Sequence, residues 1–174
     1  RYCLEHCEAK VAFIGKSDDW KNQRSGLPDN VKGISYPMWT EEGYENWNDI
    51  IAKTEPYKEN YVPAGNDIST IIYTSGTTGL PKGVVHTVHS FSYAVCWAFT
   101  VLEGLTDKER FFSYLPLSHI AERMLVEMGG LYSGATISFA ESLDLFAANL
   151  KDTKPTIFLA VPRIWTKFQM GILG

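Results

Sequence analysis

A ten-residue segment rich in glycine and small hydroxyl side chains is the part of the chain best suited to chemistry. It runs from Thr74 to Gly83, reads TSGTTGLPKG, and directly follows the apolar run Ile68–Tyr73. Glycines let backbone N–H groups converge on a phosphate, hydroxyls add donors, and Lys82 supplies a point positive charge. Open α/β sheets also bind ligands at the carboxyl ends of their parallel strands. The segment therefore predicts a polyphosphate-binding loop.

Two familiar phosphate loops do not fit this segment. A Walker A loop needs a glycine directly before its lysine, where this chain has Pro81. The spacing also lacks the G-x-G-x-x-G fingerprint of dinucleotide-binding folds. A flexible surface loop would explain the composition, but it would explain neither the position after a strand nor the embedded Pro-Lys-Gly.

The surrounding sequence predicts the elements that must hold this loop. Apolar runs alternate with amphipathic stretches, which is typical of βαβ units. Strands are predicted over 11–14, 31–36, 68–73, 111–115, 135–140 and 156–161. The last of these is continuously apolar, as in a strand covered on both faces. Helices are predicted over 47–53, 90–102 and 120–131, after an N-cap at Ser142, and from Pro162. Trp97 is expected to widen the apolar face of the helix over 90–102, and Leu143 is expected on the apolar stripe of the helix after Ser142. The fold class expected is α/β, with a mostly parallel sheet flanked by helices.

Three motifs in order resemble one known family. Residues 74–83 are similar to the signature phosphate loop of the adenylate-forming superfamily, which includes acyl-CoA synthetases, luciferases and peptide-synthetase adenylation domains. Residues 114–123, YLPLSHIAER, resemble the next family motif as long-chain acyl-CoA synthetases write it. Residues 154–165, KPTIFLAVPRIW, resemble the strand and helix start that lead towards the acyl pocket. With a weaker match at 8–15, the resemblance covers nearly the whole chain.

The resemblance implies a two-step reaction and a set of site residues. A carboxylate and ATP give an acyl-adenylate and pyrophosphate, and the thiol of coenzyme A then displaces AMP. The positions that match the phosphate loop, with Mg²⁺, would hold the β- and γ-phosphates: Thr74, Ser75, Gly76, Thr77, Thr78, Gly79 and Lys82. Their role would be positioning and electrostatic stabilisation. No catalytic residue and no protein metal ligand is expected within the chain.

The second motif carries one further candidate. The resemblance places His119 beside the acyl and adenylate pocket, whereas a lone histidine near a helix start is otherwise a hydrogen-bonded structural residue. Glu122 and Arg123 are expected to be a helix-surface pair. After Pro-Lys-Gly the family often has Thr-His, but here Thr87 precedes Val88, so no function is assigned to His86 or His89.

The second motif also restricts the class of carboxylic acid that the protein is expected to activate. Amino-acid activation requires an acidic partner for the ammonium group, usually Phe-Asp here, and this chain has Leu117, Ser118 and His119 instead. The string Pro-Leu-Ser-His-Ile-Ala-Glu resembles that of long-chain and bubblegum-type fatty acyl-CoA synthetases. The expected function is part of an ATP-dependent fatty acid–CoA ligase. The alternatives are an aryl-CoA ligase, a luciferase-like member, and a non-catalytic phosphate-binding or interaction module.

Composition excludes several other classes. The 174 residues are 45% hydrophobic and carry a net charge of −4, which argues against a nucleic-acid-binding surface. The longest apolar stretch, 91–102, is too short to span a membrane, so only peripheral association is compatible. Three cysteines without a signal peptide indicate a reduced, cytoplasmic protein. Cys3, His6 and Cys7 lack further ligands at usable spacing, so a zinc site is not expected.

The chain is also expected to be part of a longer protein. It matches a partial N-terminal domain of the family, with a leading segment and connection over 1–66 and a loop-bearing segment over 67–174. The Tyr-Gly-x-Thr-Glu motif, the later Thr-Gly-Asp motif and the C-terminal domain with its lysine are absent. The 174 residues alone are therefore expected to be inactive.

Overall fold

A computed structural model describes residues 1–15, 20–37, 41–75, 79–102 and 104–173. The chain divides into two compact units. One comprises Arg1–Pro63 and Ser75–Gly83, and the other comprises Ala64–Thr74 and Val84–Gly174. Among the described residues, no helix is long and apolar enough to cross a membrane.

The first unit contains a small parallel sheet. Its elements are α1 (Tyr2–His6), β1 (Val11–Ile14), α2 (Trp20–Gln23), a 3₁₀ turn (Arg24–Gly26), β2 (Lys32–Ser35), β3 (Glu45–Asn46) and α3 (Trp47–Lys53). β1 pairs with β2, with Val11 opposite Lys32, and β2 pairs with β3, with Ile34 opposite Glu45. α3 has the predicted bounds because the side chain of Asn46 accepts a hydrogen bond from Asn48 N at 2.9 Å, which caps the helix.

The second unit contains the loop's flanking strands and a βαβ arrangement. Its elements are β4 (Ile68–Thr74), β5 (Lys82–Thr87, whose first two residues lie in the other unit), α4 (Val88–Val101), β6 (Arg110–Ser113), a π-helix (Glu122–Met128), α5 (Gly129–Ser133), β7 (Thr136–Phe139), α6 (Phe146–Thr153) and α7 (Pro162–Leu173). β4 pairs with β5. β6 pairs in parallel with β7, with Arg110 opposite Thr136.

The predicted α/β fold class with mostly parallel strands is confirmed. Every ladder whose direction is described is parallel, namely β1–β2, β2–β3 and β6–β7. In the described part of the chain these strands form separate small sheets. β5 was not predicted, because Lys82 and Gly83 belong to the loop motif and disguise the start of the strand.

The core of the second unit is built from β6, α4 and the π-helix, which packs against both of them. Phe111 and Phe112 are buried on β6, and an i, i+4 stripe of Phe91, Val95 and Phe99 forms the buried face of α4. The prediction that Trp97 widens this face is wrong, since Trp97 is 61% exposed. A side chain two residues from Val95 and Phe99 lies off the stripe that they share.

Two other local predictions are also corrected. The segment 156–161 forms only an isolated parallel bridge between Phe111 and Ile157. The hydroxyl of Thr156 accepts from Arg110 N at 2.9 Å, where a ladder would need a main-chain carbonyl. Ser142 caps a turn rather than the helix, because its hydroxyl accepts from Leu145 N and α6 begins at Phe146. Leu143, expected on the buried stripe, is 83% exposed.

Candidate functional site

The predicted phosphate loop lies between two paired strands. Thr74 is the last residue of β4, and Lys82 is the first residue of β5. Ser75 and Gly79 lie within the connection, while the predicted ligands Gly76, Thr77 and Thr78 lie outside the described residues. The position after a strand, inferred from the sequence, is confirmed.

The described loop residues are open to solvent. Thr74, Ser75, Gly79 and Lys82 are all exposed. Gly79 has φ = +144°, and a Cβ there would meet nothing within 4 Å, so this position needs glycine for its backbone conformation and not for lack of space. Within the described part of the chain, Lys82 has no ion-pair partner. An exposed cation beside hydroxyl groups and a glycine turn can attract and hold an anionic group.

The start of β4 and the end of β5 are tied together. Val88 N donates to Asp67 O at 3.0 Å, and His89 N donates to Gly65 O at 2.8 Å. The hydroxyl of Thr87 accepts from Ser90 N at 3.2 Å and caps α4. His86 packs edge-on against Phe91 with ring centroids 5.2 Å apart. His86 and His89 thus make local structural contacts.

The second motif, residues 114–123, follows β6 and contains a buried carboxylate, that of Glu122. Glu122 is 2% exposed, and it accepts a hydrogen bond from Ser113 Oγ at 2.5 Å. Burial raises the pKa of Glu122 above its ordinary value, while hydrogen bonds from Ser113 and from the backbone of Leu115 and Tyr114, and the charge of His119, act in the opposite direction.

The expected surface pair of Glu122 and Arg123 is therefore wrong. Arg123 Nε donates to Leu117 O at 2.9 Å, and its guanidinium lies 3.8 Å from Glu127. The helix is a π-helix over Glu122–Met128, and it buries a different face from the predicted one. The residues buried there are Glu122, Val126, Gly129 and Gly130. The face predicted from a 3.6-residue period, 120/124/128/131, includes Ile120 and Leu131, both of which are exposed.

Tyr114 joins the second motif to the third. Its phenol oxygen accepts a hydrogen bond from Val161 N at 3.2 Å. Burial raises the pKa of the Tyr114 hydroxyl, and the negative charge of Glu122 adds to this effect. Its ring packs edge-on against Phe146 at 5.0 Å and tilted against Phe158 at 6.0 Å. The two segments that resemble family motifs are thus held side by side.

An apolar groove of about 650 Å³ lies along these joined segments. Three segments line it: the one that follows β6, the loop before α6, and the start of α7 with the residue before it. The lining residues are Tyr114, Leu115, Pro116, Leu143, Val161, Arg163, Ile164, Thr166 and Lys167. The lining is mainly hydrocarbon, with two basic side chains one helical turn apart on α7. Such a groove suits an apolar chain with a negatively charged end.

His119 lies in the sequence between Pro116, which lines the groove, and Ile120, which lines a smaller cleft. Its main chain is fixed, with His119 N donating to Pro116 O at 2.9 Å and Glu122 N donating to His119 O at 3.1 Å. The side chain is exposed. It belongs neither to the lining of the 650 Å³ groove nor to the lining of a smaller cleft of about 170 Å³ around Ile120 and Met124. Its predicted contact with an acyl group stays a prediction.

Sequence reasoning missed Glu122 and Tyr114 as structural groups of this site. A glutamate four residues before Val126 and seven before Gly129 falls on one face of a helix, and that spacing was an available signal. The thiols of Cys3, Cys7 and Cys96 are free. Within the described residues, no group of three or more His, Cys, Asp or Glu side chains could hold a metal ion.

Comparison with known proteins gives consistent matches. The AMP-binding enzyme family matches residues 1–171. The long-chain-fatty-acid–CoA ligase ACSBG2 of Homo sapiens is 37% identical over 184 residues, covering 96% of this chain and 27% of that protein. The chain thus spans about a quarter of the length of this relative.

Solved structures share the fold. The anthranilate CoA ligase AuaEII, solved in complex with anthranoyl-AMP, superposes with a TM-score of 0.74 at 27% identity, over 90% of this chain and 32% of that one. The N-terminal domain of FACL13 from Mycobacterium tuberculosis superposes with a TM-score of 0.71 at 23% identity, over 94% of this chain and 40% of that one. The second match supports the fold alone.

Proposed function

This chain belongs to the AMP-binding enzyme family, and from that premise we propose that it is part of an AMP-forming long-chain fatty acid–CoA ligase. In the first step, a fatty-acid carboxylate oxygen bonds to the α-phosphorus of ATP and the bond to pyrophosphate breaks. In the second, the sulfur of coenzyme A bonds to the acyl carbon and AMP leaves. The observation that carries this proposal is the 37% identity to a long-chain-fatty-acid–CoA ligase across 96% of the chain.

The loop between β4 and β5 would bind the ATP phosphates. Exposed hydroxyls at Thr74 and Ser75 donate to phosphate oxygens, Gly79 allows close approach of the backbone, and Lys82 offsets negative charge. Gly76, Thr77 and Thr78 belong to the same proposed set. These loop residues would position the α-phosphate for in-line attack by the carboxylate and would transfer no proton.

Mg²⁺ is the expected companion of the phosphates. When bound, it neutralises charge on the phosphate oxygens. The hydroxyl oxygens of Thr74 and Ser75 are hard donors that suit Mg²⁺, which keeps most of its ligands as water and phosphate.

The apolar groove beside Tyr114 would take part of the acyl chain. Its hydrocarbon lining matches an aliphatic substrate, and Arg163 and Lys167 place positive charge at one side. We assign His119 to orienting the carboxylate near this groove. We also propose a cytoplasmic location, which suits three cysteines without disulfide partners, and peripheral membrane association. The proposed domain organisation remains a leading segment over 1–66 and a loop-bearing segment over 67–174.

One competing substrate class has specific support. The structural neighbour AuaEII is an anthranilate CoA ligase solved with anthranoyl-AMP, at 27% identity. An aryl-CoA ligase would use the same adenylation chemistry with a shorter, planar acid. We favour the fatty acid because the human relative is more similar to this chain and its match covers more of it.

The test is carboxylate-dependent ATP–pyrophosphate exchange by a full-length protein containing this chain. The acids run from acetate to a C18 fatty acid, with benzoate and anthranilate as aryl acids. Exchange that peaks with long-chain acids supports the proposal. Exchange that peaks with the aryl acids would replace it with the competing class. A folded protein that gives no exchange with any acid would leave a non-catalytic phosphate-binding module.

A further inference from the structure

Glu122 is an unusual residue within the second unit. Among the described residues it is the only charged side chain that is fully buried. Burying a carboxylate is costly unless hydrogen bonds satisfy its oxygens. The proposed reaction assigns it no chemical step, so its burial calls for a separate explanation.

The hydrogen bonds of Glu122 all come from one short segment. Ser113 Oγ donates at 2.5 Å, and the backbone of Tyr114 and Leu115 lies near enough to the carboxylate to lower its pKa. These three consecutive residues form the end of β6 and the start of the chain that follows it. Glu122 is thus hydrogen-bonded to the last residue of β6 and lies near the next two residues, where the backbone leaves the sheet.

The same segment forms one wall of the apolar groove. Tyr114, Leu115 and Pro116 line it directly. The hydroxyl of Tyr114 accepts from Val161 N, another lining residue, which directly precedes α7. A displacement of the backbone at Tyr114 would therefore change both this part of the lining and its hydrogen bond to the segment before α7.

We propose that Glu122 is a positioning residue for the acyl groove: its buried carboxylate holds Ser113, Tyr114 and Leu115, and so sets the wall against which an acyl chain packs. The occupant of the groove rests on the proposed function. Glu122 itself touches no substrate. Its effect on acid binding passes through Tyr114 and Leu115.

Glu122→Gln is the most specific variant for testing this role of the carboxylate. The amide has the shape of the carboxylate, but one acceptor oxygen becomes an NH₂ group that faces backbone N–H donors. Glu127→Gln is the matched control, because Glu127 lies on the same π-helix and pairs with Arg123 near the surface. Ser113→Ala is a milder second variant that removes only one of the donors.

The experiment measures the KM values for a C16 acid and for ATP in a full-length protein, together with amide hydrogen exchange. We expect Glu122→Gln to raise the KM for the acid about 10-fold or more, with the KM for ATP within about twofold of wild type. Ser113→Ala is expected to shift the acid KM in the same direction by a smaller factor. Amide exchange at Tyr114 and Leu115 should accelerate in Glu122→Gln and not in Glu127→Gln.

Two results would overturn the inference. One is an unchanged acid KM in Glu122→Gln with unchanged amide exchange at Tyr114 and Leu115. The other is a rise of the KM for ATP that equals the rise of the KM for the acid, in both Glu122→Gln and Ser113→Ala. An equal effect on both substrates indicates general destabilisation. If the wild type activates no acid, the proposed function fails, and the amide exchange still decides whether Glu122 holds this wall.

Discussion

Truncating Phe146 tests whether the aromatic cluster around α6 holds the groove together. Phe146 is 8% exposed at the start of α6. Its ring packs edge-on against Phe112 at 5.4 Å and against Tyr114 at 5.0 Å, with tilted contacts to Phe158 and Phe168 at 6.4 Å. It therefore links β6, the groove wall and α7.

The expected magnitude follows from burial and ring geometry. Phe146→Ala removes a buried aromatic side chain and leaves a cavity, which costs about 3–5 kcal/mol. Phe146→Leu keeps most of the apolar volume but removes two edge-on ring pairs, each worth about 0.5–1.5 kcal/mol beyond burial. The leucine variant should therefore lose about 1–3 kcal/mol of unfolding free energy, and the alanine variant more.

Urea denaturation followed by tryptophan fluorescence measures both losses. Trp165 lies in the same cluster, 5.8 Å from Phe158 and 5.9 Å from Phe168 by ring centroid, so its emission reports on local order. The exposed Phe139, on β7, provides the control Phe139→Ala, which should change stability by under about 0.5 kcal/mol. A loss below about 1 kcal/mol for Phe146→Ala would refute the view that this ring is an anchor of the fold.

Three further predictions concern backbone and charge. Gly130→Ala should destabilise the protein by about 1–3 kcal/mol, because a Cβ there would lie 2.5 Å from Ile137 Cδ1. Gly171→Ala should stabilise α7 by about 0.5–1 kcal/mol, because a Cβ there would meet nothing within 4 Å. Thermal unfolding of both variants checks these opposite signs. Lys154→Gly should raise stability by up to about 1 kcal/mol in the same assay, because Lys154 ends α6 with φ = +46°. Burial raises the pKa of Glu122, so its protonated form stabilises the fold below the ordinary value of 4.5, and that stabilisation is lost as pH rises through the folded pKa. The unfolding free energy of wild type minus that of Glu122→Gln should therefore fall as pH rises above 4.5, and a difference that rises with pH would contradict this sign.

The sequence predicts much of this fold because its signals are local. The apolar run of β1 and Pro162 at the start of α7 each act through neighbouring residues, and both elements form where predicted. The motif Thr74–Gly83 likewise identifies a loop after a strand from spacing alone.

The failures arise where tertiary context decides. Glu122 looks like an exposed residue in the sequence, but it is buried because Ser113 on β6 donates a hydrogen bond to its carboxylate. The segment 156–161 has strand composition, but the Thr156 hydroxyl replaces a ladder acceptor. The pairing of Tyr114 with Val161 joins residues far apart in sequence, and no local pattern encodes that contact.

The central claim is that the loop between β4 and β5 holds the phosphates of ATP during acid activation. The most direct measurement is ATP–pyrophosphate exchange with a long-chain acid in Lys82→Ala and in Lys151→Ala, a matched exposed lysine on α6. We predict that Lys82→Ala lowers exchange about 100-fold, while Lys151→Ala stays within about twofold of wild type. Wild-type exchange in a folded Lys82→Ala protein would contradict the claim.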